Sequence, residues 1–449
     1  MQSLLKRFTL VSAVLCAAVP FAAGCGDDGD SSSPTSTSVL TTTDFDVGIS
    51  LASCGDFEYG GDGAPASVIV SDLPMQGDSA ERSAQQVEAI RLVLEQNDWS
   101  AGGEPVAFQA CDDTIEKTGL WDERTCTDNA RAYAADTHVL GVIGTYNSGC
   151  AAIEIPILNE AGVAMISPGN TAVCLTEPSA ACSSGQPDSL YPSGKRNYAR
   201  VIPNDAFQGA ALAEFTKQEG STHPYLLYAA GDDTSIGQAG NYRGAADAAG
   251  LQLAGDSSWD PKADDYAKLF AQVKAKKPDA VVLAGLTEQN GGALIEAKVK
   301  ALGSNADVPL IAFDGFAQQS TIDEAGTASE GMFASVPGSA PENLSPEGVK
   351  FSSDLEEKLG GAPVEQFAPY AGEAAAVLLD AVAEGGGDRA AIASAVLATK
   401  GGGGILNAYD IDPSGDPSVG PVTILMAAKT FEVDTEVTPD EEIVSAARG

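Results

Sequence analysis

Basic side chains are scarce in this sequence: 25 Lys and Arg stand against 63 Asp and Glu, leaving a formal net charge of −38 at pH 7. A surface so acidic repels nucleic acid and anionic lipid headgroups, which removes nucleic-acid binding from the candidate functions. Histidine is scarcer still, with only His138 and His223, and no CxxC spacing occurs, so a zinc site and a Ser/His/Asp triad both lack their parts. GxSxG and GxxxxGK[ST] are absent, which excludes a nucleophile elbow and an ATPase of the chain's own. The acidic run DIDPSGD (410–416) lacks the later Glu of a calcium loop and reads as a hairpin turn. No metal, no cofactor and no enzymatic activity are expected. The longest apolar run, Phe8 to Ala23, is interrupted and too short to span a bilayer.

What that run does carry is an export signal. Lys6 and Arg7 precede it, and Ala22, Ala23 and Gly24 fit a cleavage site, so residues 1–24 read as a signal peptide. Cys25 directly after them resembles the lipobox of bacterial lipoproteins, which implies lipidation at Cys25; ordinary cleavage leaving a free thiol is the alternative. The following GDDGDSSSPTSTSVLTTTD has almost no large apolar residue and reads as a disordered tether, giving anchor and tether over 25–45. A location outside the cytoplasm, on the cell envelope, follows. Of the 8 cysteines, Cys16 and Cys25 fall in this leader, and an even number remains, as suits an oxidising compartment. Cys174 and Cys182 bracket a short loop and are expected to pair. For the rest, Cys111 with Cys126 and Cys54 with Cys150 is favoured, with other connectivities open.

From residue 66 the pattern becomes regular. Strands at 66–73, 105–111, 139–146 and 163–167 alternate with helices at 79–97, 123–136 and 150–161. A second run has strands at 197–203, 224–230, 279–286, 309–314 and 330–335, with helices at 207–219, 235–249, 264–277 and 291–302. Such alternation means βαβ units and parallel sheets, an α/β fold. Within the helix from 264, Tyr266, Leu269, Phe270 and Val273 fall at i, i+3, i+4 and i+7 and make one apolar face. Helices near 346–359, 366–384 and 388–400 follow, then a hairpin-like pair at 405–411 and 421–429, and a polar tail over 439–449. Two similar α/β halves imply two lobes across a cleft.

The candidate site lies in the first half. Loops at 147–149 and 168–171 leave the carboxyl ends of two strands, where open α/β sheets place their ligands. They offer Asn147, Ser148, Asn170 and Thr171, with backbone exposed at Gly149 and Gly169. Amide N–H groups at a helix start suit a carboxylate, while a carbonyl and a hydroxyl suit an ammonium, so a small zwitterion fits. Ser and Thr also serve as helix caps, and spacing alone leaves both readings open.

IGTYNSG (143–149) followed by ISPGNTAVCLT (166–176) resembles the corresponding stretch of the leucine/isoleucine/valine-binding proteins, type I periplasmic substrate-binding proteins of ABC importers. NYARVIPNDAFQGAALAEF (197–215) and DDYAKLFAQVKAKKPDAVVLAG (264–285) resemble that family in the same order, so the likeness covers most of the chain after about residue 66. It implies a two-lobed fold with a three-crossover hinge, near 200–203, 314–317 and 420–421. Lobe 1 would then be 46–201 with 317–420, and lobe 2 would be 202–316 with 421–438. It also implies that Ser148 and Thr171 hold a ligand carboxylate, that Gly169 offers a carbonyl to the ammonium, and that Glu288, or Gln289 in another register, faces them from lobe 2. Tyr146, Asn147, Asn170, Ile236 and Asp314 complete the candidate set. Ser235, Ile236 and Gly237 stand where branched-chain binders place an aromatic, so the resemblance implies the ligand class and not leucine itself. The family often ties the region of Cys111 to the loop near Cys150. A monomer that delivers an amino-acid-like ligand to an ABC permease is the expected role; a sensing lipoprotein, or a hydrolase using Glu288 and Asp314, are the alternatives.

Overall fold

The computed structural model describes residues 48–179 and 182–449. The expected signal peptide, lipidation at Cys25 and tether fall outside the described residues. In the first α/β unit, β1 (Cys54–Glu58) and β2 (Ser67–Leu73) lead to α1 (Ala80–Gln96). The short β3 (Ser100–Ala101) and β4 (Glu104–Asp112) lead to α2 (Glu123–Ala135), β5 (Val139–Gly144) to α3 (Ser148–Glu160), and β6 (Ala164–Ser167) through a long connection to β7 (Tyr198–Arg200). The second unit repeats the scheme with α4 (Asp205–Gln218), β8 (Pro224–Ala229), α5 (Asp233–Ala248), β9 (Gly255–Trp259), α6 (Ala267–Ala275), β10 (Ala280–Ala284), α7 (Gly291–Leu302), β11 (Leu310–Ala312), α8 (Gln319–Ala325) and β12 (Phe333–Pro337). After it come α9 (Pro346–Lys358), α10 (Phe367–Gly385), α11 (Arg389–Leu397), β13 (Val422–Ala427), β14 (Phe431–Val437) and α12 (Glu441–Arg448).

Two 7-stranded sheets result, one ordered β1-β4-β2-β5-β6-β7 with β3 beside β4, the other β14-β13-β12-β11-β10-β8-β9. Strand β5 (VLGVIG) and strand β10 (AVVLA) are buried at every residue, as parallel strands covered by helices on both faces must be. In each sheet the first of the parallel strands, β2 or β8, sits between the next two long ones, β4 and β5 or β9 and β10, so the order reverses there and a crevice opens at the carboxyl ends. The two halves are therefore the same doubly wound design, as expected for a two-lobed α/β protein.

The chain leaves the first sheet after β7, returns to its helices after β12, and rejoins the second sheet at β13. The crossing expected near 314–317 is displaced to beyond Pro337, because β12 pairs in parallel with β11 and antiparallel with β13. Residues 317–337, expected in lobe 1, thus lie with the second sheet. The crossings are bonded to one another: Arg200 N–H donates to Gly415 O at 2.9 Å and Gly338 N–H to Pro421 O at 2.7 Å.

Several local expectations are corrected. The hairpin partner of β13 is β14, while 405–411 is irregular, its N–H groups of Ile405 and Leu406 held by the Glu373 carboxylate at 2.8 and 3.1 Å. The supposed polar tail forms α12, which buries Val444 and Ala447 against α4 and α5. Edge strands β1 and β9 have too few buried residues to show an apolar run. Cys174 pairs with Cys182, but the other two bridges are Cys54–Cys111 and Cys126–Cys150, neither of those favoured from sequence. Cys54 and Cys111 are cross-strand partners of β1 and β4, and Cys126 and Cys150 open the neighbouring helices α2 and α3, so register and helix packing decide the pairing. No helix among the described residues is long and apolar enough to cross a membrane.

Candidate functional site

The loops after β5 and β6 face those after β8, β10 and β11 across a cavity of about 320 Å³. On the first-sheet side α3 begins at Ser148, so Ser148 and Gly149 form its first turn and not a loop. Asn147 is the N-cap residue, yet its side chain makes no capping bond, which leaves the first helical N–H groups without side-chain partners. The positive end of the helix therefore opens on the cavity. Ser148 Oγ accepts the N–H groups of Thr171 at 3.3 Å and Ala172 at 3.2 Å, which frees its own proton for donation into the cavity. Gly149 lets the Trp121 indole pack close, since a Cβ on it would lie 2.4 Å from Cζ2 of Trp121 and the ring would have to move.

Behind these groups, the two loops are bolted together. Asn170 donates to Tyr146 O at 2.9 Å and accepts from the Tyr198 hydroxyl at 3.0 Å, with its side chain turned from the cavity. Ser167 Oγ donates to Thr145 O at 2.7 Å and takes Asn170 N–H at 2.8 Å. Tyr146 does line the cavity; its ring packs edge-on to Phe367, and Arg82 lies 5.3 Å over it. The Arg82 guanidinium donates to the Tyr146 hydroxyl and, across to the second half, to Ala317 O at 3.1 Å. Burial alone would lower its pKa, but Tyr146, Glu365, Asp314 and Glu288 around it more than offset that, so Arg82 is firmly charged.

The opposite wall is acidic. Glu288 accepts from Gln318 Nε2 at 3.0 Å, and Gln289 Oε1 takes Leu286 N–H at 2.9 Å. Asp232 caps α5 through Ser235 N–H at 3.0 Å. Asp314 shares the amides of Gln208 and Gln238 with Asp205, and burial raises both carboxyls, Asp205 to about 8. A second buried acid group joins Asp72 and Asp113 to Glu154 of α3: burial pushes Asp72 up to about 6 and the other two well above the ordinary carboxyl range. The described His, Cys, Asp and Glu atoms close enough to hold a metal are those of Cys126, Cys150 and Glu154, and the disulfide already consumes both thiols.

Of the residues read from sequence, the cavity gathers Tyr146, Asn147, Ser148, Gly169, Thr171, Glu288, Gln289 and Asp314. It leaves out Asn170, which is structural, and Ile236, which is 37% exposed while Asp232, Thr234 and Ser235 line the cavity around it. Sequence reading missed Arg82, Trp121, Gln238 and Gln318. Arg82 carried one available signal, a lone basic residue at the start of a helix in a very acidic chain.

Residues 72–414 match the family described as periplasmic binding protein. Among solved structures, a leucine binding protein from Thermotoga maritima is similar at 23% identity and a TM-score of 0.70, over 84% of this chain and 99% of that one. The branched-chain amino acid transporter substrate binding protein LivJ of Streptococcus pneumoniae, solved with isoleucine, is similar at 17% identity and a TM-score of 0.68, over 83% and 100%. A solute binding protein of an ABC transporter from R. palustris, solved with benzoate, is similar at 18% identity and a TM-score of 0.63, over 84% and 98%. No curated protein sequence matches.

Proposed function

The chain belongs to the periplasmic binding protein family, and from that premise we propose that it is the solute-binding lipoprotein of an ABC importer, capturing an amino acid or similar small polar ligand between two closing lobes. One observation carries the ligand class: the two walls of the cavity differ in sign. The first offers the open N-terminus of α3, the Ser148 hydroxyl and Arg82, and the second offers Asp232, Glu288 and Asp314. A zwitterion laid between them meets a partner for its carboxylate on one side and for its ammonium on the other. Among the described residues, lobe 1 is taken as 48–179 and 182–201 with 339–420, and lobe 2 as 202–338 with 421–449. Contacts to both walls form together only in the closed state, so ligand shifts the population toward it, and an ABC permease would read that state. Lipidation at Cys25 would keep the protein at the membrane as a monomer beside the permease. No turnover is expected of it.

A thermal-shift screen tests this with amino acids, benzoate, nucleosides and sugars as probes. At 100 times its dissociation constant a ligand adds about 2.7 kcal/mol, or on the order of several degrees. A rise with amino acids, lost in Ser148→Ala and Thr171→Ala variants whose unliganded melting is still cooperative, supports the reading. A rise with benzoate or a sugar and none with any amino acid overturns the ligand class.

A further inference from the structure

A second chamber of about 350 Å³ opens off the ligand cavity and shares Trp121, Ser148, Gly149, Asp232 and Thr234 with it. The N-terminus of α3 therefore faces both chambers, and a carboxylate seated there has one on each side. The first chamber suffices for a compact amino acid. Leucine has about nine non-hydrogen atoms, each taking at most a water's share of roughly 30 Å³. A ligand that also fills the second chamber must be longer.

The lining shows what the extra length should carry. One side is apolar, with Ala152 of α3 and Ala172, Val173 and Leu175 of the connection after β6. The other side holds Asp205, Asp232 and Asp233, and no Lys, Arg or His is among the described lining residues. Asp233 takes the Ser183 hydroxyl at 3.1 Å and Asp232 takes Ser235 N–H, which leaves each carboxylate further acceptor capacity. An apolar tail would strip water from these groups and return nothing. An alkyl stem ending in a cation covers the apolar side and returns a charge-assisted hydrogen bond.

We propose that the ligand is an α-amino acid with a long basic side chain, its charged end lying in the second chamber against Asp232 and Asp233. This rests on the amino-acid reading of the first chamber. Titration calorimetry on the full chain with L-lysine, L-arginine, L-norleucine and L-leucine tests it, because norleucine has the lysine side chain without its ammonium. Lysine or arginine should bind at least about ten-fold tighter than norleucine, the size of one charge-assisted bond. Asp233→Asn, at an exposed position, should bring lysine toward norleucine. Ala152→Leu, which narrows the chamber, should weaken both. Norleucine or leucine binding as tightly as the basic amino acids overturns the proposal while leaving the amino-acid reading intact. So does a lysine preference untouched by Asp233→Asn, which would place the charge recognition elsewhere. Failure of all four probes overturns this inference, whereas the amino-acid reading falls only if no amino acid of the thermal-shift screen binds.

Discussion

Asp205 and Asp314 are bridged by amides and not by a cation of their own. Nε2 of Gln208 lies 3.0 Å from Asp205 and 3.2 Å from Asp314, and Nε2 of Gln238 lies 3.3 and 3.2 Å from the same two carboxylates. Burial is the largest influence on both, with mutual repulsion added at Asp205, and the hydrogen bonds, together with Arg200 at Asp205 and Arg82 at Asp314, offset only part of it. Asp205 therefore keeps its proton in the folded chain up to about pH 8, while the unfolded chain releases it near its ordinary value of about 4. Between those values the native state binds more protons than the unfolded state, so this group's contribution is full at low pH and falls as pH rises. Asp205→Asn removes that dependence: relative to wild type the variant should gain stability from pH 5 to pH 8, by at most about 1.4 kcal/mol per unit. Denaturant titrations of both proteins across that range check it, and parallel pH curves would contradict the assignment.

At the scale of elements, the disulfide that matters for the site is Cys126–Cys150, since it fastens the first turn of α3 to α2. With a sequence separation of 24, its loss in a Cys126→Ala, Cys150→Ala double variant should cost about 3 kcal/mol. Ligand affinity should fall as well, because the N-terminus of α3 lines the cavity and is the carboxylate seat in the proposed reading; by contrast, removing Cys54–Cys111 at the far edge strand should lower melting and spare affinity. This pairing was not legible in the sequence, whereas β5, α3 and β10 were. Apolar periodicity reports which residues one element buries, and it placed most strands and helices within a few residues. It says nothing of which elements become neighbours, and that is what joins Cys126 to Cys150 and brings Arg82 from α1 onto Tyr146. Elements with little to bury, such as β9, where Trp259 alone is buried, gave no pattern to read. The place of Asn170 was illegible for a related reason: its residue type suits a ligand or a bracket, and only the positions of Tyr146 and Tyr198 show its side chain bonded between the two.

For the whole molecule, the hinge is the part whose stability and function cannot be separated. Arg200, at the first crossing, pairs with Asp416, near the third, at 2.6 Å, and both side chains are inaccessible. The remaining donors of Arg200 go to Asn170 O and Ala172 O, both at 3.0 Å, and to Thr176 Oγ1 at 2.6 Å, while Asn204 Nδ2 satisfies the other oxygen of Asp416 at 2.9 Å. One guanidinium thus holds the crossings together and also the carbonyls on either side of Thr171. The second crossing joins them through Gly338, whose φ of +91 and a hypothetical Cβ only 2.0 Å from the Tyr370 hydroxyl leave no room for a side chain. Asp416→Asn removes the charge partner and leaves Arg200 buried with its cation uncompensated, which typically costs about 3–5 kcal/mol. Melting should drop by roughly 5–10 degrees. Because the same guanidinium positions the Thr171 loop, affinity for the ligand should fall with it, and any ligand-induced compaction, followed by small-angle scattering, should require more ligand. A variant that melts within about a degree of wild type, or that loses stability with unchanged affinity, would show that the loop holds its shape without the hinge.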